Sequence, residues 1–292
     1  AERPVFDEPP LDGRAWLDRL RGGQTDAAFL VTRSASLPVP GLAREHFYDE
    51  LGLALRVAAG PSSPDRTRVR VPGHRLVPQR APLRLARPDI VAEIARPPRR
   101  VRRLGERRAA ALLDLAREAM VTRARDLYTF TAANLKDACL VDCGDGLEFY
   151  CVGVDVEQRL LLDAVYGLLT LRNGVPIGYA LFSALWRSSE VAYNVFETFR
   201  GGESAWIYGR MLATIRAMFG ADTFTIDPYQ LGHHNDEGLE SGAWWFYYKL
   251  GFRPWDRNIG RLAAGEARRV AARRSYRTGP GTLRRLVSAN LF

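Results

Sequence analysis

The chain has 292 residues, 47% of them hydrophobic and 26% charged, with a formal net charge of +9. That length gives one large domain or two of ordinary size, and that composition is the composition of a soluble globular protein. No apolar run reaches the roughly 18–20 residues of a bilayer span, and the first ten residues, AERPVFDEPP, lack a basic region followed by an apolar core. Neither a membrane span nor a signal peptide is therefore expected, and the expected location is the cytoplasm.

The basic residues are nearly all arginine, with Lys136 and Lys249 the two exceptions. Such an excess favours an anionic partner through long-range attraction, whether a phosphate-rich cofactor, an acidic substrate or RNA. A solvated basic surface without a partner is the plain alternative. The arginines are spread along the chain, so the charge alone discriminates poorly. Cys139, Cys143 and Cys151 are odd in number and fit no zinc spacing. They read as buried structural thiols, and no metal site is expected.

Residues 1–100 read as an accessory region dense in proline and arginine. Two helical patterns, Leu11–Leu20 and Leu42–Leu55, precede prolines at 61, 64, 72, 78, 82, 88, 97 and 98 that break any long helix. Residues 101–260 are more regular. Gly105–Leu127 has apolar residues at helical steps, and a shorter helix is expected over Val156–Val165. Tyr166–Leu171 and Val175–Trp186 read as strands joined by Arg172-Asn173-Gly174, where Asn-Gly is a strong hairpin signal. A third strand is expected over Val191–Phe199. A helix then runs to Phe219, with Gly220 suited to its end. Asp222–Ile226 reads as a buried strand and Ala243–Leu250 as a helix ending at Gly251. Residues 261–292 read as a basic helical tail divided at Thr278-Gly279-Pro280-Gly281.

A strand, a Gly-rich turn and a helix start make an anion site, because free N–H groups and the helix dipole face the ligand. Here the turn is Arg200-Gly201-Gly202-Glu203-Ser204-Ala205, after Phe199. Gly201 and Gly202 let a phosphate approach the backbone, Arg200 pairs with it, and Ser204 offers a hydroxyl. An ordinary strand-to-helix turn is the bland alternative. Farther on, WWFYYKLGF sets five aromatics on a short helix and its end, which read either as a core plug or as a site. The polar stretch Asp227–Glu237 contains His233 and His234, either of which can act as a base with Asp227 or Asp236 as orienter. Helix capping by its Asn and Asp residues is the alternative.

The segments 194–220 and 241–254 resemble, in order and spacing, the two best-marked segments of the GNAT superfamily of acyl-coenzyme A N-acyltransferases. The resemblance covers about residues 107–254. It implies a mixed α/β fold, a mostly antiparallel sheet flanked by helices, in which two parallel strands splay to admit the cofactor. It implies that residues 199–205 hold the pyrophosphate of acetyl-CoA or another acyl-CoA. It also implies that Tyr247, four residues before Gly251-Phe252, protonates the departing thiolate, and that a carboxylate on the strand before the loop, Glu197, accepts the proton of a small-molecule or peptide amine. A salt bridge to an arginine is the other reading of Glu197. The chain departs from the pattern at Glu203, where the family has glycine, and at Glu240, where it has asparagine. A carboxylate at 203 repels a diphosphate unless it points away. Two further functions fit the same fold: an amide-forming transferase that uses aminoacyl-tRNA, and a non-catalytic binding module.

Overall fold

The structure, a computed structural model, describes residues 13–52, 70–71, 74, 76–123, 125 and 127–292. The chain divides into two units, Ala1–Ala58 and Ala59–Phe292. In the first, α1 (Gly13–Arg21), α2 (Asp26–Ala35) and α3 (Gly41–Glu50) follow one another. Thr25 caps α2 by accepting from the Ala28 amide, and Asp18 and Asp26 tie Arg14 to Arg21. The expected helices over 11–20 and 42–55 are α1 and α3; residues 11, 12 and 53–55 lie outside the described residues.

The second unit is built on one mixed sheet of seven strands, whose order in space is their order in the chain. After an extended arm come α4 (Ile90–Ala95), β1 (Arg100–Arg103), α5 (Glu106–Val121) and α6 (Tyr128–Thr131). The strands β2 (Ala133–Gly144), β3 (Leu147–Val154), β4 (Ala164–Arg172), β5 (Val175–Ala184) and β6 (Ser188–Val195) continue as an antiparallel meander. Then α7 (Ser204–Phe219) crosses over and β7 (Thr223–Thr225) returns parallel to β6. The helices α8 (Pro228–Leu231), α9 (Asp236–Ser241), α10 (Ala243–Leu250), α11 (Arg257–Ala272) and α12 (Pro280–Leu286) complete the unit. The mixed, mostly antiparallel sheet flanked by helices is the architecture expected from the sequence.

Strand alternation sends each strand's side chains to two separate cores. Val141, Phe149, Cys151 and Leu168 pack with Met211, Ile215 and Tyr247 on the α7–α10 face. Leu140, Tyr150, Val152 and Leu169 pack with Leu112, Ala116 and Met120 of α5 on the other. Cys139, Cys143 and Cys151 are free and buried in the first core, where burial pushes their thiols up.

Several expectations need correction. The β2–β3 hairpin lies where no strand is expected; its turn is Asp145-Gly146, with φ of 53° and 75°. The helix expected over Val156–Val165 is a single 3-10 turn, Val156–Gln158, followed by β4. Leu160, Leu161 and Leu162 are exposed, so a helix there would have no core to pack on. The strand expected over Val191–Phe199 ends at Val195. Phe196 turns into the α5 core, and Glu197–Phe199 form a 3-10 turn. The Asn173-Gly174 hairpin stands as expected, with φ of 49° and 76°.

Behind α7 the polypeptide 93–97 is pinned by one buried arginine. Arg210 donates to the Glu93 carboxylate at 3.3 Å and to the carbonyls of Glu93, Arg96 and Pro97. Gly209 lets α4 approach this closely, since a Cβ there would meet Glu93 Cγ at 2.9 Å. Removing one partner of a buried ion pair leaves the other charge uncompensated. Arg210→Ala should therefore cost about 3–5 kcal/mol in urea unfolding. A loss below about 1 kcal/mol would show that the pair is not needed to hold 93–97.

Candidate functional site

The cleft begins where β6 and β7 part. They share three residue pairs, Ser188 with Thr223, Ser189 with Phe224 and Glu190 with Thr225. Beyond Glu190, β6 runs on to Val195 while β7 has ended. Along this open edge lies a cleft of about 410 Å³, walled by Tyr193, Asn194 and Val195 of β6 and by Phe246 and Tyr247 of α10. Its rim is Arg200, Gly201, Gly202, Ser204 and Ala205 on one side and Gln230, Asn235, Glu237 and Gly238 on the other.

The turn before α7 needs glycine for its backbone. Gly201 and Gly202 have φ of 97° and 57°, and a Cβ on either would meet nothing within 4 Å. Their conformation is the left-handed one that side chains disfavour, and the space in front of them is open. Glu203 occupies the N-cap position of α7 but makes no side-chain cap. The Ser204 hydroxyl donates to the Gly201 carbonyl at 2.6 Å. The first-turn amides of α7 thus have no side-chain cap, and the positive end of a 16-residue helix opens at the rim.

The Glu203 carboxylate points away from this rim. It is buried and accepts from the Arg84 amide, from Arg84 Nη1 at 3.3 Å and from Arg172 Nη2 at 3.1 Å. Gln79 Nε2 is a further donor at 3.4 Å. Two guanidinium groups therefore neutralise it on the far side of the turn. Its function is to stitch the arm 79–84 and the end of β4 to the start of α7, and it does not repel an anion at Gly201-Gly202. Phe199 is half-buried and packs against both cores, so it positions the turn from behind.

Arg200 is engaged at the rim. Its guanidinium binds Glu237, which Arg125 also grips with two hydrogen bonds of 2.8 and 2.9 Å. The Arg125 hydrogen bonds, assisted by Arg200 and working against burial, hold the Glu237 carboxyl down at about 2. With one carboxylate between two arginines, this edge of the cleft carries net positive charge.

Tyr247 stands in the cleft wall. Its ring contacts Tyr208, Phe246 and Phe252. Burial pushes its phenol above the ordinary value, against a hydrogen bond with the Tyr193 backbone that lowers it. The same burial raises Tyr193 and Tyr208. Tyr247 is therefore protonated throughout the neutral range and is a core aromatic whose ring forms part of the cleft wall. Asn194 Oδ1, on the opposite wall, is buried without a hydrogen-bond partner among the described residues.

The expected base is displaced. Glu197 lies in the 3-10 turn after β6, is exposed, and lines a separate hollow with Arg123, Arg125, Phe196 and Thr198. His233 and His234 meet edge to face with ring centroids 4.2 Å apart and do not line the cleft. In the same loop Asp227 caps α8 through the Tyr229 amide and Asn235 caps α9 through the Gly238 amide. That stretch follows the capping alternative. Glu240 is exposed on α9.

One acid overlooked in the sequence lies where β6 and β7 part, outside the residues that line the cleft. Glu190 is the last residue of β6 paired with β7. The residue is exposed, and partial desolvation, with Asp227 and Asp163 nearby, raises its carboxyl above the ordinary value. Nothing local marks it; only the point at which two strands separate does.

No protein-family model, characterised protein or solved structure matches this chain. The site therefore rests on its own geometry.

The rim ion pair makes a pH test. Glu237 has a folded value of about 2 against an ordinary 4.5, so its contribution is complete above 4.5 and is lost as pH falls through about 2. Carbon-detected NMR titration should give a midpoint near 2 for Glu237 in the native protein, rising toward the ordinary range in Arg125→Ala. A midpoint unmoved by that substitution would show that Arg125 is not the cause.

Proposed function

We propose that the protein transfers an acyl group from an acyl-coenzyme A to an amine, with the diphosphate over Gly201-Gly202 and the thioester in the cleft between β6 and α10. One observation carries this reading: an uncapped helix start and two left-handed glycines open onto an apolar-walled cleft at the parting of two parallel strands. A diphosphate fits the first feature and an extended pantetheine arm fits the second. The outward burial of Glu203 removes the main objection to an anion there.

In this reading the coenzyme supplies the activated carbonyl, and the chain supplies position and proton transfer. The amides of residues 201–205 and the Arg200 guanidinium hold the diphosphate; Arg125 keeps Glu237 in place when Arg200 turns to it. As the amine nitrogen bonds to the carbonyl carbon and the carbon–sulfur bond breaks, Tyr247 gives its phenolic proton to sulfur. Glu190, at the point where β6 and β7 part, takes the proton the amine loses. The acceptor is a small-molecule or peptide amine. A second donor, aminoacyl-tRNA, is favoured by the basic carboxy-terminal helices and uses the same cleft.

Calorimetry with acetyl-CoA should show binding to the native protein and about tenfold or greater weakening in Gly202→Asp, which adds bulk and negative charge at the diphosphate. Absence of binding to any acyl-CoA would remove this reading and leave the tRNA-dependent one. Given a turnover assay, Tyr247→Phe should lower kcat by about 10² to 10⁴, with a stability loss of no more than about 1–3 kcal/mol from the Tyr193 backbone group left unpaired. Glu190→Gln should abolish the acidic limb of the pH–rate profile. Turnover of Tyr247→Phe within a factor of about three of native would make Tyr247 a packing residue only.

A further inference from the structure

The charge of this chain is far from evenly spread once carboxylate partners are counted. Residues 257–285 hold nine arginines and one acid, Glu266, a net +8 in a chain of net +9. All nine arginines are exposed. Among the described residues only Arg269 meets a carboxylate, Glu266, at 2.6 Å. A second basic run, seven arginines over 96–108, is answered in part. There Arg96 meets Glu93, Arg99 meets Asp145, and Arg102 and Arg108 act on Glu148. The longest run of arginines without a carboxylate among the described residues is on α11, α12 and the segment between them.

This surface is pre-formed. Glu266 is buried and accepts from the Tyr276 hydroxyl at 2.8 Å as well as from Arg269, so it ties the end of α11 to the segment after it. Trp245 of α10 donates to Thr278 at 3.2 Å. Leu291 pairs with Ile226 and Pro254, anchoring the end of the chain beside β7. On α11, Arg257, Arg261 and Arg268 fall at steps of four and seven along one outward face, while Ile259, Leu262 and Ala263 face the core. Just before α11, the Trp255 ring is 85% exposed and meets Phe292 at 6.3 Å.

We infer that α11, α12 and the Trp255–Phe292 pair form a binding surface for single-stranded RNA. Arginine forks on one face match a row of phosphates, and an exposed indole beside them offers a stacking plane for an unpaired base. A membrane surface fits less well, because a helix that lies in a bilayer interface must present its apolar face outward. The apolar face of α11 is already spent on the core. The inference stands whichever acyl donor the cleft uses.

The test is fluorescence anisotropy of the full-length protein with a labelled mixed-sequence single-stranded RNA across a salt series. Binding should weaken with salt, and Arg257→Gln/Arg261→Gln/Arg268→Gln should reduce the log–log slope by about 2, near 0.7 for each lost phosphate contact. Trp255→Ala should weaken binding about tenfold with the slope unchanged. Melting curves of both variants should match the native protein, since all four side chains are exposed. No RNA binding at low salt, an undiminished slope in the triple variant, or binding to phosphatidylserine vesicles without binding to RNA would each overturn the inference.

Discussion

The site depends on how briefly two strands stay together. β6 and β7 are joined through three residue pairs, and β6 then runs on for five residues with β5 as its one strand neighbour. A parallel pair cannot close with a tight hairpin, so α7 must cross between them, and its start falls at the far end of β6. The helix start, the open strand edge and the wall made by α10 are therefore consequences of one topological step. The same step fills the wall with aromatics, because α10 must cover the sheet that β7 leaves bare.

Around this opening, buried charges hold the parts that do not face it. Glu203 collects Arg84 and Arg172 behind the Gly-rich turn, and Arg210 collects Glu93 and three carbonyls behind α7. Asn173 both donates to and accepts from Val77, fixing the arm along the β4–β5 turn. Each carboxylate here is paired, as burial demands. The rim differs: Arg200 donates to the Val195 carbonyl at 3.3 Å and meets an exposed carboxylate that a second arginine already satisfies, so its ion pair can be exchanged for an incoming anion at small cost.

Elements with a strong local signal were legible in the sequence. Asn173-Gly174 marks its hairpin, Gly220 and Gly251 end α7 and α10 in the left-handed conformation, and the Gly201-Gly202 turn and Tyr247 come to one cleft. What stayed hidden depends on distant partners. The orientation of Glu203 is set by Arg84, 119 residues earlier. The place of Glu190 at the parting of the strands is set by where β7 ends. Glu197 was misplaced because an apolar run through Phe196 reads as strand, whereas Phe196 leaves the sheet for the α5 core. The Asp145-Gly146 turn carried a hairpin signal as good as the one at Asn173-Gly174, and its strands could have been found from it. The carboxy-terminal charge was also countable; it emerges when arginines are weighed against the carboxylates that fold against them.

The central claim, that a diphosphate-bearing thioester sits at the turn before α7 and along the open edge of β6, is tested most directly by amide NMR of the labelled protein on addition of coenzyme A. The account predicts the largest shifts at Gly201, Gly202, Ser204 and Ala205, with smaller ones along Tyr193–Val195. Shifts confined to the arginine-rich helices after Trp255, or no shifts at all, would contradict it.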